Sequence, residues 1–206
     1  MPKITKVAVI GTGVIGIGWI IRLLAHDIKV FAFDKKLNQK NNLINEIKRA
    51  SPFVKKLFNK KNINLNNLKL FTSLRNAVKD ADFIQECVTE NYRLKTQLIN
   101  QISNNCKPSV IISSSSSGLL PSKIFSKCKN KKRGIIGHPF NPVYLLPLVE
   151  IVSGKKTSSK SLNVANKFYK SISMNPIILK KELPGYLSDR LQEALWREAL
   201  HIVNEG

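Results

Sequence analysis

Two side chains able to move a proton stand twelve positions apart in the second half of the chain. His138 lies between Gly137 and Pro139, and Glu150 sits inside the apolar run LPLVEIV. Glu150 is the only acid between Glu90 and Glu182, and a carboxylate set among aliphatic residues needs a partner, because burying it alone is costly. His138 is the obvious candidate. Beside a redox cofactor, such a pair suits oxidation of an alcohol. The imidazole takes the hydroxyl proton, and the carboxylate orients the ring and stabilises the imidazolium. A structural hydrogen-bonded pair fits the same spacing. His26 and His201 fall in helical patterns and read as surface or packing residues.

That chemistry needs an electron acceptor, and residues 6–34 are patterned to hold one. A short β-branched run at 7–10 leads into Gly11, Gly13 and Gly16, which form G-x-G-x-x-G with Thr12, Val14 and Ile15 between them. A helical apolar pattern then runs through Ile20, Leu23 and Leu24. Gly11 permits the tight turn, Gly13 lets main chain approach a pyrophosphate, and Gly16 lets helix and strand pack closely. The helix start offers N–H groups and a positive dipole end to the phosphates. A second apolar run, 30–33, ends on Asp34, eighteen positions after Gly16, where an acid can accept from a ribose 2′-hydroxyl. Asp34 would repel a 2′-phosphate, so the pattern favours NAD over NADP. Lys35 and Lys36 weaken that preference slightly, or simply line a solvated loop.

The elements needed to carry these residues follow in order. A polar and basic stretch spans 35–67, with helical spacing at Leu43 and Ile47 and again at Val54, Leu57 and Phe58. Pro52 separates the two groups, which predicts two short helices. Apolar runs at 69–72, 82–87, 109–112 and 134–137 read as strands, with helices over 74–79, 93–102 and 121–128 between them. Strands alternating with helices imply an α/β, Rossmann-type doubly wound, mostly parallel sheet. Ligands of such sheets gather beyond the carboxyl ends of the strands. The glycine loop, Glu90-Asn91, the serine run 113–117 and His138 all fall there. The serines also read as a low-complexity loop, Asn141 as a turn residue before Pro142, and Lys95 as a helix-surface lysine. Further strands at 148–152 and 176–179 flank a helix over 159–171. After Pro184-Gly185 comes a periodic helix with Leu187, Leu191, Ala194, Leu195, Ala199 and Ile202 on one side.

Composition narrows the function classes. With 206 residues and 43% hydrophobic content the chain can bury one sizeable core. Its formal net charge of +21 raises nucleic acid as a partner. The lysines are scattered without aromatic interleaving, however, and a compositional bias toward Lys, Asn and Ile accounts for them, so no nucleic-acid partner is expected. Cys87, Cys106 and Cys128 make no CxxC pair, which argues against a disulfide framework, and no metal site is expected. The first strand begins too early to leave room for a signal peptide, and the apolar stretch 14–24 is too short to span a bilayer. A cytoplasmic protein with no membrane partner is the expectation.

Five motifs together resemble the 3-hydroxyacyl-CoA dehydrogenase family: GTGVIG (11–16), TENYRLK (89–95), SSSSGLLPS (114–122), GHPFNPVYLLPLVE (137–150) and LSDRLQEALWREAL (187–200). The resemblance spans essentially the whole chain. Its SGLLPS and EALWREAL segments are more similar to carnitine-oxidising members than to acyl-CoA-oxidising ones. It implies NAD-dependent oxidation of the 3-hydroxyl of L-carnitine to 3-dehydrocarnitine by hydride transfer, with His138 as general base and Glu150 as its partner. Ser117 would hold the substrate oxygen and Asn141 would support the same site, while Glu90 and Lys95 match dinucleotide-contacting positions. Where acyl-CoA members usually carry Asn, this chain has Asp189. An anion there suits a cationic substrate such as a quaternary ammonium, though it also fits a helix-start charge. The resemblance further implies an NAD-binding domain over 1–183, then the first helix of an incomplete all-α C-terminal domain over 184–206. That domain serves substrate binding and dimerisation, so full-length relatives are expected to be homodimers. The alternatives are a 3-hydroxyacyl-CoA dehydrogenase, with CoA phosphates near Lys55, Lys56, Lys60 and Lys61, or a non-catalytic NAD-binding relative.

Overall fold

A computed structural model describes residues 3–35, 39–179 and 181–206, which leaves Lys36 outside the described residues. The chain starts with β1 (Lys6–Ile10), whose Val7, Ala8, Val9 and Ile10 are fully buried. Next come α1 (Val14–Ala25), β2 (Lys29–Phe33), α2 (Gln39–Leu57), β3 (Leu68–Phe71), α3 (Leu74–Val78) and β4 (Phe83–Glu86). The second half adds α4 (Tyr92–Asn105), β5 (Ile111–Ser114), α5 (Pro121–Ile124), β6 (Gly134–Pro139), β7 (Leu148–Ser153), α6 (Ser159–Ser171), β8 (Asn175–Leu179) and α7 (Ser188–Glu205).

The strands form one eight-stranded sheet in the order β3-β2-β1-β4-β5-β6-β7-β8. Pairing is parallel from β3 to β6, turns antiparallel between β6 and β7, and is parallel again between β7 and β8. This is the doubly wound, mostly parallel α/β sheet expected. Successive side chains of a strand point to opposite faces, so β1 feeds two cores. Val7 and Val9 pack with α1, α2 and α6, while Ala8 and Ile10 pack with α3, α4 and α5.

Element boundaries differ from the sequence expectation at several places. The two short helices separated at Pro52 are one helix, α2, with the proline inside it. Leu43, Ile47, Ala50 and Val54 form an unbroken buried stripe across the proline, whereas Pro52 itself faces solvent. An interior proline costs about 3 kcal/mol. Burying Leu43, Ile47 and Val54 contributes roughly 1.5–3 kcal/mol each, so packing prevails. The strand expected at 109–112 lies two residues later, because Val110 N closes a turn onto Lys107 O at 3.2 Å; β5 therefore takes in the first two serines. The helix expected to reach residue 128 ends at Ile124, with turns following it.

Residue 184 onward departs from the sheet. None of α7's residues is buried, and Leu191, Leu195, Trp196 and Ile202 are all exposed. Among the described residues no helix is long and apolar enough to cross a membrane.

Candidate active site

The glycine motif forms a main-chain cradle. Gly11 has φ +100, a left-handed conformation that other residues rarely adopt, and its N–H donates to Phe33 O at 2.8 Å. A Cβ on Gly16 would lie 1.9 Å from Gly11 O, so only glycine lets α1 start this close to the turn. A Cβ on Gly13 would project into open space, which leaves bare main chain facing the cleft. No side chain caps the start of α1, where Gly13 is the N-cap and Val14 and Ile15 open the first turn. Uncapped N–H groups at a helix start suit a phosphate. Asp34, at the end of β2, accepts from both Thr12 N (2.8 Å) and Thr12 Oγ1 (2.9 Å), tying the loop to the acid. Gly11, Gly13, Phe33, Asp34, Val88 and Thr89 line a cleft of about 350 Å³. These features fit a dinucleotide.

His138 and Glu150 lie on the antiparallel ladder between β6 and β7. They are register partners across it, and His138 Nδ1 lies 2.8 Å from Glu150 Oε2. With Nδ1–H donating to the carboxylate, Nε2 is left as the ring's acceptor, the tautomer a general base requires. Phe140 and Tyr186 rings lie 5.0 Å and 5.8 Å from the imidazole. Glu150 does more than face His138. Its Oε1 accepts from Leu187 N (3.1 Å) and Ser188 N (3.0 Å), at the start of α7. Burial pushes the Glu150 carboxyl up, but the hydrogen bonds from His138 and Ser188 outweigh it and hold the group below its ordinary value.

The serine run is not a low-complexity loop. Ser113 and Ser114 end β5 and point to opposite faces, and the four serines 113–116 divide between two networks. Ser113 Oγ meets the Tyr169 hydroxyl at 2.8 Å, and Ser115 Oγ accepts from Gln85 Nε2 (2.8 Å) and Trp19 Nε1 (3.1 Å). On the other side Ser114 donates to Glu86 and Ser116 to Glu90. Ser117 differs. Its N–H donates to Glu90 Oε1 at 3.1 Å, while its hydroxyl has no hydrogen bond among the described residues.

Glu90 and Lys95, which the resemblance implies as dinucleotide-contacting positions, also hold the loops beside the cleft. Glu90 Oε1 gathers Ser116 Oγ, Ser117 N and Gly118 N, so the carboxylate caps the serine loop. Lys95 is buried, with Nζ on Glu86 Oε1 (2.8 Å), Glu86 Oε2 (3.1 Å) and Val88 O (2.9 Å), and 3.5 Å from Glu90 Oε2. A buried ammonium requires such pairing. Lys95 supports the loop after β4 from beneath and is no surface lysine. Asn141 is exposed and precedes a cis peptide bond to Pro142. It lies with Thr12, Gly13 and Gly18 around a cleft of about 410 Å³ at the head of α1, on the glycine-loop side of the site. Asp189 follows Ser188 at the start of α7. Burial raises its carboxyl above the ordinary value; His138 lowers it, and Glu150 and Glu90 raise it further.

Several organising residues had no sequence signal that reading the chain could use. Arg22 of α1 is fully buried and gives its guanidinium to main-chain carbonyls, including Val143 O (2.7 Å) and Leu146 O (3.1 Å). Burial lowers its pKa to about 10. One turn earlier, a Cβ on Gly18 would come within 2.9 Å of the Val143 side chain. Gly18 and Arg22 therefore dock the segment that carries Asn141. The i, i+4 spacing of a glycine and an arginine inside an apolar helix was the one available hint. Cys87 sits beside the cleft with its thiol pushed up to about 12 by burial, which favours the protonated thiol. All three cysteines are free. Lys60 is engaged by Asp27 at 2.5 Å.

Comparison with known proteins agrees with this geometry. Residues 6–183 match the model described as 3-hydroxyacyl-CoA dehydrogenase, NAD binding domain. L-carnitine dehydrogenase of Pseudomonas putida is 44% identical, the match covering 100% of this chain and 65% of that protein. The L-carnitine dehydrogenase of Oceanobacillus iheyensis is 46% identical over 98% of this chain and 66% of its own length. The crystal structure of (S)-3-hydroxybutyryl-CoA dehydrogenase from Ralstonia eutropha superposes with a TM-score of 0.89 at 26% identity, covering 99% of this chain and 73% of that one. The chain thus spans a little under two thirds of the Pseudomonas relative's length. On the matched domain, the glycine cradle and the full-length similarity, the chain belongs to the 3-hydroxyacyl-CoA dehydrogenase family and carries its NAD-binding domain.

Proposed function

We propose that the protein is an NAD-dependent oxidoreductase that oxidises the 3-hydroxyl of L-carnitine to 3-dehydrocarnitine. The observation that carries the reading is the 2.8 Å contact between His138 Nδ1 and Glu150 Oε2, where β6 ends and β7 begins, at the same edge of the sheet as the glycine turn after β1. Gly11, Gly13, the first turn of α1 and Asp34 would hold the cofactor. Bound NAD supplies the acceptor for the hydride that leaves C3. The chain's own residues do the rest. His138 Nε2 takes the hydroxyl proton, and Glu150 keeps Nδ1 protonated and stabilises the imidazolium. Ser117 directs its unengaged hydroxyl to the substrate oxygen, and Asn141 supports the same site from the glycine-loop side. Glu90 and Lys95 shape the wall of the cleft by holding the serine loop and the segment after β4.

Substrate charge favours carnitine over an acyl-CoA. Asp189 stands among Glu90 and Glu150 in a chain whose formal net charge is +21. Those like charges penalise its ionisation, and a quaternary ammonium nearby would relieve the penalty. The curated relatives of 44–46% identity bear the name L-carnitine dehydrogenase. Residues 184–206 are read as the opening of a helical second domain that completes the substrate pocket and pairs two subunits, since none of α7's residues is buried. Initial rates of NADH formation by the full-length protein, with L-carnitine against 3-hydroxybutyryl-CoA, test the reading. Turnover of carnitine with Asp189→Asn raising its KM about tenfold or more supports it, on the scale of one lost charge contact. Turnover of the CoA ester alone would replace it, and NADH binding without turnover of either substrate would leave a non-catalytic relative.

A further inference from the structure

We infer that Tyr186 is a positioning residue, whose phenol and strained turn lock the serine loop, the His138 ring and the Glu150 carboxylate into one rigid corner. It lies beyond the matched NAD-binding domain, which ends at residue 183. Its side chain is 1% exposed, although it follows the exposed Pro184 and precedes the exposed Leu187.

Tyr186 reaches three separate parts of the site. Its hydroxyl donates to Leu119 O at 2.6 Å, tying the start of α7 to the loop that carries Ser117. Its ring meets the His138 imidazole edge-on, at 5.8 Å between centroids and 61° between planes. The two N–H groups that follow it, of Leu187 and Ser188, are the donors on Glu150 Oε1. Gly118 packs against the same turn, since a Cβ on it would meet Gly185 N at 3.6 Å.

The backbone shows that this arrangement is enforced. Gly185 has φ +70 and Tyr186 has φ +47. Left-handed geometry is rare for a bulky side chain and persists only where the surroundings over-determine it. Here the surroundings are the packing around the buried Tyr186 ring and a turn closed by Tyr186 N on Leu183 O at 3.2 Å. Relaxing Tyr186 to negative φ would swing the next two N–H groups away from Glu150. The carboxylate, held at one oxygen only, would then no longer fix the plane of the imidazole. Burial keeps the phenol protonated far above neutral pH, so it serves as a permanent donor.

Two variants of the full-length protein test this, one readout being independent of any substrate. In 15N-histidine-labelled protein, the His138 Nδ1–H should exchange with solvent about tenfold faster in Tyr186→Leu than in the wild type, while main-chain amides of β6 and β7 keep their rates. Tyr186→Phe, which retains the ring and the turn, should restore ring exchange to within about twofold of wild type. Unchanged ring exchange in Tyr186→Leu would overturn the inference. So would equal acceleration of the ring proton and the strand amides, which would mark general loosening. The kinetic arm rests on the carnitine reading. Tyr186→Phe frees the serine loop and should raise the KM for L-carnitine about fivefold with kcat within about twofold and NADH affinity unchanged. An unaltered KM would remove the serine loop from the positioned corner. Should the wild type itself fail to oxidise carnitine, the substrate assignment falls, and the exchange rates still decide the role of Tyr186.

Discussion

Between Gly11 and Asp34 the cleft is shaped by main chain, whereas around His138 it is shaped by carboxylates. In the first region a φ of +100 and a 1.9 Å clash awaiting any Cβ on Gly16 leave the backbone one conformation. Every determinant lies within a single strand–turn–helix–strand passage. In the second region Glu86, Glu90 and Glu150 each draw several donors onto one or two oxygens. Their partners come from 12, 37 and 38 positions away in the case of Glu150. A glycine turn resists everything except a change of residue. A carboxylate corner is held by several separate donors, so it fails by degrees.

The sharpest break between the regions is His138→Ala. Turnover should fall about a hundredfold or more, the scale of a lost general base, while NADH affinity, read by fluorescence titration, stays at the wild-type value. Parallel losses of turnover and affinity would mean that the two regions do not act separately. Gly16→Ala tests the other side. The added methyl forces the turn apart, at about 1–3 kcal/mol of stability, and should cost at least about tenfold in NADH affinity. Full retention of NADH binding would show that the main chain yields where the clash predicts it cannot.

Glu150→Gln probes the dependence on charge. The native carboxyl lies below its ordinary value. Its contribution to stability is therefore present above the unfolded pKa, about 4.3, and is lost as pH falls through the lower folded value. The Tm of Glu150→Gln should fall a few degrees below wild type at neutral pH, with the gap closing below about pH 4. A gap independent of pH would assign the loss to packing. The smallest effect on the cleft belongs to Pro52→Ala in α2, one turn beyond Arg49, which with Asn42 and Glu46 lines the cleft at the head of α1. Replacing an interior proline by alanine should add up to about 3 kcal/mol of stability without altering NADH affinity. A change in affinity would show that the proline sets the position of those side chains.

The legibility of the two regions in sequence follows the same division. The glycine cradle could be read directly, because the φ freedom of Gly11, the closeness needed at Gly16 and the placement of Asp34 are local properties. The pairing of His138 with Glu150 was legible for a different reason: a lone acid in an apolar run had few partners to choose from. Pro52 misled, since local propensity favours a break there and only packing of the stripe from Leu43 to Val54 against the core overrides it. The serines 113–117 could not be told apart by type. Ser113 and Ser115 join one network and Ser114 and Ser116 the other, which leaves the Ser117 hydroxyl without a hydrogen bond among the described residues.

Alone, the order of residues determined that a parallel α/β sheet would form, where its nucleotide turn would lie, and which imidazole and carboxylate would meet. Those outcomes depend on backbone freedom, on period-two and helical spacing, and on scarcity of acids, all of which are written along the chain. Only the tertiary structure decided that Lys95 turns inward to Glu86, that Arg22 spends its charge on carbonyls, and that Glu150 holds the start of α7 together with His138. A buried polar group takes whichever partner folding brings within about 3 Å, and that choice is made in space among strands and loops that are distant in sequence.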